Sequence, residues 1–128
     1  IGMANWTPEG LIGRLFRVIG AHLPPPAGLK SPALWGTEAR IRELFGSAAA
    51  AVRCEKRFFN FRYHSVAHFV QVFRDYYGPT HKTFAALPGA AGEALERDIS
   101  ALLRELNVAG ASSLVVPAEY LEIVVTRA

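Results

Sequence analysis

His64 and His68 stand four residues apart at the start of an apolar-periodic stretch, a spacing that puts two imidazoles on one face of a helix, as a pair of metal ligands requires. The remaining requirements are missing. Ser65 follows His64 where a zinc-protease pattern has glutamate, and neither Cys54 nor His81 lies at a spacing that supplies a third ligand. The pair therefore reads as a helix start, and no metal site is assigned. The stretch K-R-F-F-N-F-R-Y, residues 56–63, interleaves cations with aromatics as base-stacking strands do, but it carries Arg57 and Phe59 where an RNA-recognition strand has glycines. Packing of Phe59, Phe61 and Tyr63 under helices, with the arginines in water, is the expectation, and nucleic acid is not expected as a partner. No G-x-S-x-G turn follows a strand, so a serine hydrolase is not supported. Glu119 and Glu122 read as solvent-facing alternation on a strand, and no catalytic carboxylate pair or other catalytic residue is assigned.

Two groups of side chains remain as candidates for binding a small molecule. Asn5, Trp6 and Thr7 end a short apolar strand just before a helix-start signal, where open α/β sheets hold their ligands. Tyr76 and Tyr77 close an apolar helical stripe, and each offers an apolar body with a hydroxyl handle for an aromatic or quinone-like molecule.

The elements that position these groups follow from periodicity. The opening I-G-M-A-N-W is a strand; it lacks the polar, loosely held character of most termini and reads as an internal cut. Thr7 as N-cap and Pro8 at the first helical position start a helix expected over Thr7–Ile19, on Leu11, Ile12, Leu15, Phe16 and Ile19. Three consecutive prolines, Pro24 to Pro26, make the next segment a connector. A short surface helix runs from Thr37 to the stop at Gly46. Residues 50–63 alternate as a strand whose apolar side switches near Phe58, which predicts a bulge there. Ser65 caps a helix lined by Val66, Phe69, Val70, Phe73 and Tyr77, ended or kinked by Gly78-Pro79. Leu95, Ile99, Leu102, Leu103 and Leu106 mark the longest helix, closed near Asn107 and Gly110. The tail from Leu114 is β-rich, with Pro117 expected at a bulge or edge.

Three strands and about four helices make an α/β pattern. The chain has 128 residues, 51% of them hydrophobic, enough for a core. Cys54 is the single cysteine, so no internal disulfide forms and a reducing, cytoplasmic setting is expected. No apolar run approaches the ~20 residues of a membrane span. The net charge is +3, and eleven of the fourteen basic residues are arginines scattered over every segment, which specifies no polyanionic partner.

The blocks I-G-M-A-N-W-T-P-E-G, L-K-S-P-A-L-W-G-T-E-A-R-I-R-E-L-F-G and V-V-P-A-E-Y-L-E-I-V-V-T-R together resemble the C-terminal part of class I S-adenosylmethionine-dependent methyltransferases, in particular those similar to ubiquinone and menaquinone biosynthesis methyltransferases. The resemblance implies a single incomplete domain over residues 1–128: a partial Rossmann-like fold with a three-stranded mixed sheet. Its strands correspond to the family's fifth, sixth and seventh, the last antiparallel between the other two and forming a terminal hairpin with the sixth. It further implies S-adenosyl-L-methionine as cofactor and a small-molecule methyl acceptor bound near Asn5, Trp6, Thr7, Tyr76 and Tyr77. The family's Gly-rich cofactor turn has no counterpart, because no G-x-G occurs in the chain and Gly10 and Gly13 fall in the first predicted helix. The expected outcome is a chain inactive alone, with an exposed first strand prone to self-association. A noncatalytic module that pairs through that strand is the alternative.

Overall fold

A computed structural model describes all residues, Ile1–Ala128. Strand β1 (Gly2–Trp6) leads into helix α1 (Leu11–His22), and a proline connector ends in a 3-10 turn over Pro32–Gly36. Helix α2 (Glu38–Phe45) precedes the long strand β2 (Ala49–Tyr63). Helices α3 (Val66–Tyr76), α4 (Gly78–Ala86) and α5 (Ala90–Leu106) follow, and strand β3 (Leu114–Arg127) completes the chain.

The sheet order is β1-β3-β2, and both pairings are antiparallel. The last strand lies between the other two, as expected, but the sheet is not mixed. β1 and β2 run in the same direction without pairing, because β3 separates their backbones. The connection from β2 to β3 is not a hairpin either, since α3, α4 and α5 intervene.

Period-two geometry explains how one thin sheet supports two cores. Leu114, Val116 and Ala118 face the same side of β3 and are fully buried with Phe69 and the apolar stripes of α1 and α5. Leu121, Ile123 and Val125 have the opposite parity and pack with Ile41 of α2, Met3, Val52 and Cys54. The helices thus cover the sheet diagonally, one face at each end. This accounts for the switch of apolar side near Phe58 without a bulge: pairing is unbroken from Val52 to Tyr63, and the only register shift lies between Ala49 and Ala51. The backbone alternates normally while its cover changes sides. Pro117 sits in the part of β3 beyond the end of β1, where β2 alone lies alongside, so the missing donor is tolerated.

Local chemistry moves two helix boundaries. Thr7 does not cap α1; its N-cap is Gly10 and the helix runs on to His22. Gly78-Pro79 does not simply end a helix but opens α4, where proline in the first turn costs no hydrogen bond, which makes five α-helices rather than four. Ser65 and Thr37 do cap their helices, accepting from the backbone N–H groups of His68 and Arg40.

α1 lies along α5, and at its exposed margin Arg14 donates to both carboxylate oxygens of Glu105, at 2.8 and 2.7 Å. Beyond α5, one amide holds the whole turn into β3: the Asn107 Nδ2 group donates to the Gly110 and Ser113 carbonyls, and its Oδ1 accepts from the N–H groups of Ala109 and Val115.

Loss of a side chain satisfying four backbone groups strands several of them. Asn107→Ala should destabilise the chain by about 2–3 kcal/mol in urea unfolding, and an unchanged midpoint would show that the turn is held by other means. The Arg14 guanidinium holds the Glu105 carboxyl below its ordinary value of 4.5. A depressed carboxyl contributes stability above its unfolded pKa and loses it as the pH falls through the folded one. Glu105→Gln should therefore lower the melting temperature slightly at pH 7, with the difference vanishing below the carboxyl's range; a deficit that persists in acid would point to lost packing instead.

Candidate functional site at the carboxyl end of the first strand

β1 and β2 point the same way, but β2 runs on to pair with Leu114 at the start of β3, whereas β1 stops opposite Tyr120, midway along that strand. Trp6 ends β1 there. Its ring sits 5.6 Å from Phe61 of β2 and edge-on to Tyr120 at 6.1 Å, while Phe59 lies 6.5 Å away. Phe61 in turn meets Phe69 and Phe73 of α3 edge-on, and Phe73 lies 4.8 Å from Tyr77. Trp6, Phe61 and Phe73, with Ile12 of α1 and Val72, Tyr76 and Tyr77 of the α3 segment, line an open groove of about 310 Å³ whose lining is entirely apolar and aromatic. That volume lies at the low end of the range of about 300–1,000 Å³ typical of small-molecule sites.

Three of the five residues expected to bind a small molecule thus share one groove: Trp6, Tyr76 and Tyr77. Tyr76 is 83% exposed and rims it, whereas Tyr77 is half-buried and burial pushes its phenol up from the ordinary value. The Tyr77 hydroxyl therefore stays protonated at neutral pH and can donate a hydrogen bond. Thr7 and Asn5 lie outside the groove. Thr7 is buried; its hydroxyl donates to Glu119 Oε1 at 2.9 Å and accepts from the Gly10 N–H at 3.1 Å, and its own N–H donates to the Glu119 carbonyl. Asn5 pairs with Leu121 and shares that residue's face of the sheet, opposite to Trp6, and its buried Nδ2 has no hydrogen-bond partner. An unsatisfied buried donor of this kind costs about 1–3 kcal/mol.

Glu119 is the residue the sequence reading misplaced. It is largely buried at its carboxylate, fixing Thr7 and accepting from Lys56 Nζ at 3.1 Å. Glu122, by contrast, faces the other side and pairs loosely with Arg57. Parity was the available signal: Glu119 alternates with Leu121 and Ile123 and so belongs to their face, while Glu122 does not. Phe59 departs from expectation in the other direction. It is 52% exposed, because the cover from α3 reaches Phe61 and Tyr63 and no further along β2.

Two glycines bring the surrounding backbone against Trp6 and Thr7. A Cβ on Gly36 would lie 2.1 Å from the Trp6 carbonyl oxygen, so the W-G-T segment after the proline connector packs directly on the end of β1. A Cβ on Gly13 would meet the Thr7 carbonyl at 2.3 Å and Pro8 at 2.5 Å, which shows the turn folded back onto the first helical residues. The start of α1 is therefore filled by the chain's own backbone and offers no cradle for a cofactor. His64 and His68 stack with ring centroids 5.1 Å apart, and the His64 N–H donates to His68 Nδ1 at 3.4 Å. His81 Nδ1 is hydrogen-bonded to the Arg74 carbonyl at 2.9 Å, and no group of three metal-ligating side chains forms. No helix is long and apolar enough to cross a membrane.

No family model matches the chain, and no solved structure matches it. Its sequence is similar to that of the uncharacterized protein Rv1405c of Mycobacterium tuberculosis, with 32% identity over 100 residues, covering 77% of this chain and 36% of that protein. The uncharacterized protein Mb1440c of Mycobacterium bovis matches to the same extent. A second Mycobacterium tuberculosis protein, the uncharacterized Rv1403c, is 29% identical over 110 residues, which cover 82% of this chain and 40% of the relative. The matched segment thus spans well under half the length of these relatives.

The packing at Gly36 yields a direct test. Gly36→Ala forces the W-G-T segment off the strand end and should cost about 1–3 kcal/mol as an overpacking change, with an altered emission from Trp6 and Trp35. A variant as stable as the parent, with unchanged fluorescence, would show that the contact is not there.

Proposed function

We propose that this chain is the C-terminal portion of an adenosylmethionine-dependent methyltransferase that acts on a small molecule. The observation that carries the reading is the sheet order: two strands of common direction with the last strand antiparallel between them, as the resemblance of the three sequence blocks implies for the final strands of such a domain. The aromatic groove beside the carboxyl end of β1 supports it, since ligands of open α/β sheets lie outside the carboxyl ends of strands.

The glycines do not fit the cofactor. Gly10 and Gly13 face the chain's own backbone and leave no cradle there, so on this reading S-adenosyl-L-methionine would be held by residues outside this chain. What these residues contribute is the acceptor side. Trp6, Phe61 and Phe73 suit a flat apolar body, and the Tyr76 and Tyr77 hydroxyls suit a polar substituent on it. Orientation supplies much of the acceleration in an in-line displacement, so an aromatic groove that orients the acceptor is a sufficient role and no general base is assigned. The single free thiol, Cys54, accords with a cytoplasmic setting. The alternative, a noncatalytic module that pairs through β1, draws on the outer edge of that strand, which has no neighbour in the sheet.

Calorimetric titration with S-adenosyl-L-methionine separates these readings. A longer protein that spans the full length of the relatives should bind the cofactor, and the 128-residue chain alone should not. In the longer protein Trp6→Ala should raise the acceptor KM about tenfold with cofactor affinity unchanged, the signature of lost acceptor binding. Cofactor binding by the short chain, or none by the long one, would overturn the proposal.

A further inference from the structure

The larger apolar cavity of the molecule lies away from the aromatic groove, between the second half of α1 and the proline connector that folds back over it. It has a volume of about 390 Å³. Phe16 and Ile19 of α1 form one wall, and Leu23, Pro25, Leu29 and Pro32 of the connector form the other. Leu23 and Leu29 are 40% and 65% exposed, so this wall presents apolar surface to water that no part of the chain covers. Gly20 lines the cavity; a Cβ there would have only Pro25 Cδ near it, at 3.9 Å.

The charges around this cavity all have one sign. Arg17 and Lys30 line it, and no aspartate or glutamate does. The carboxylates of α5 that reach α1 are engaged elsewhere, Glu105 by Arg14 and Asp98 by His22. Glu43 approaches Lys30 at 3.7 Å but is held more closely by Arg40, at 2.7 Å. An anion at the mouth of the cavity would therefore meet two cations with no tight competing partner.

We propose that this cavity is a binding site for a small aliphatic carboxylic acid, its chain lying between α1 and the connector and its carboxylate at Arg17 and Lys30. Proline and aliphatic side chains outnumber the one ring, Phe16, and suit a flexible chain, and two cations in the lining favour an acid over an alcohol of the same length. This site is separate from the aromatic groove and does not depend on the methyltransferase reading.

Gly20 allows a test that spares the fold. Gly20→Leu places a side chain in the cavity from a position whose Cβ would clash with nothing, and it replaces a helix-weakening residue with a strong helix former. Titration of the full chain with decanoate, followed by calorimetry and backbone amide shifts, should show saturable one-to-one binding with the shifts concentrated at Ile19, Gly20 and Leu29. Gly20→Leu should abolish binding while melting at or above the parent temperature. The double variant Arg17→Gln, Lys30→Gln should bind decanoate about tenfold more weakly, and decanol should bind the parent about tenfold more weakly than decanoate. Absence of saturable decanoate binding, or undiminished binding by a folded Gly20→Leu variant, would overturn the proposal; equal affinities for decanoate and decanol would overturn the role given to the two cations.

Discussion

Every element of this molecule is organised by the backbone of β3, which is paired on both sides. Over Tyr120–Val124 it is paired with β1 on one flank and β2 on the other, and over Leu114–Glu119 with β2 alone. Its side chains then divide by parity, with Leu114, Val116 and Ala118 turned toward α1, α3 and α5, and Leu121, Ile123 and Val125 toward α2. A fully buried aliphatic side chain contributes on the order of 1.5–3 kcal/mol. Five such residues and the smaller Ala118, divided between the two faces of one strand, therefore tie both cores to a single register. A slip of one residue would exchange the two sets and expose both.

The same strand sets the position of the aromatic groove. Glu119 of β3 receives the Thr7 hydroxyl and the Lys56 ammonium, joining the end of β1 to β2 across the central strand. Gly36 and Gly13 bring their segments against the Trp6 and Thr7 backbone from two further directions. Trp6 is held by its neighbours on several sides and presents its ring to the groove, while Tyr76 at the opposite rim is exposed and unrestrained. The groove thus combines a rigid floor at the end of β1 with an adaptable edge at the end of α3.

Much of this was legible in the residues, and the departures have identifiable causes. The periods of α1, α3 and α5 and the caps at Thr37 and Ser65 encode those elements locally, because the signals depend on neighbours within a turn. The strand-end rule singled out Trp6 together with Asn5 and Thr7, while Tyr76 and Tyr77 were singled out separately by their apolar helical stripe; that Trp6 and the two tyrosines line one groove is a tertiary fact that neither pattern carries. Thr7 misled because a threonine before proline and glutamate carries the pattern of a cap; its hydroxyl is drawn instead to Glu119, 112 residues away. That competition is tertiary, and no local pattern reveals it. The switch of apolar side near Phe58 was a real signal with the wrong cause: alternation records which face is covered, and here the cover changes while the strand stays regular. The Asn107 turn shows the opposite case, in which a residue read only as a helix end holds four backbone groups by itself.

The account stands or falls on the central position of the last strand. In this arrangement Ile123 lies opposite Met3 on one side and Cys54 on the other. Backbone nuclear Overhauser contacts measured from Ile123 in the isotope-labelled chain should therefore reach both residues, with none between the backbones of Met3 and Cys54. Contacts from Ile123 to only one of the two, or direct backbone contacts joining Met3 to Cys54, would contradict it.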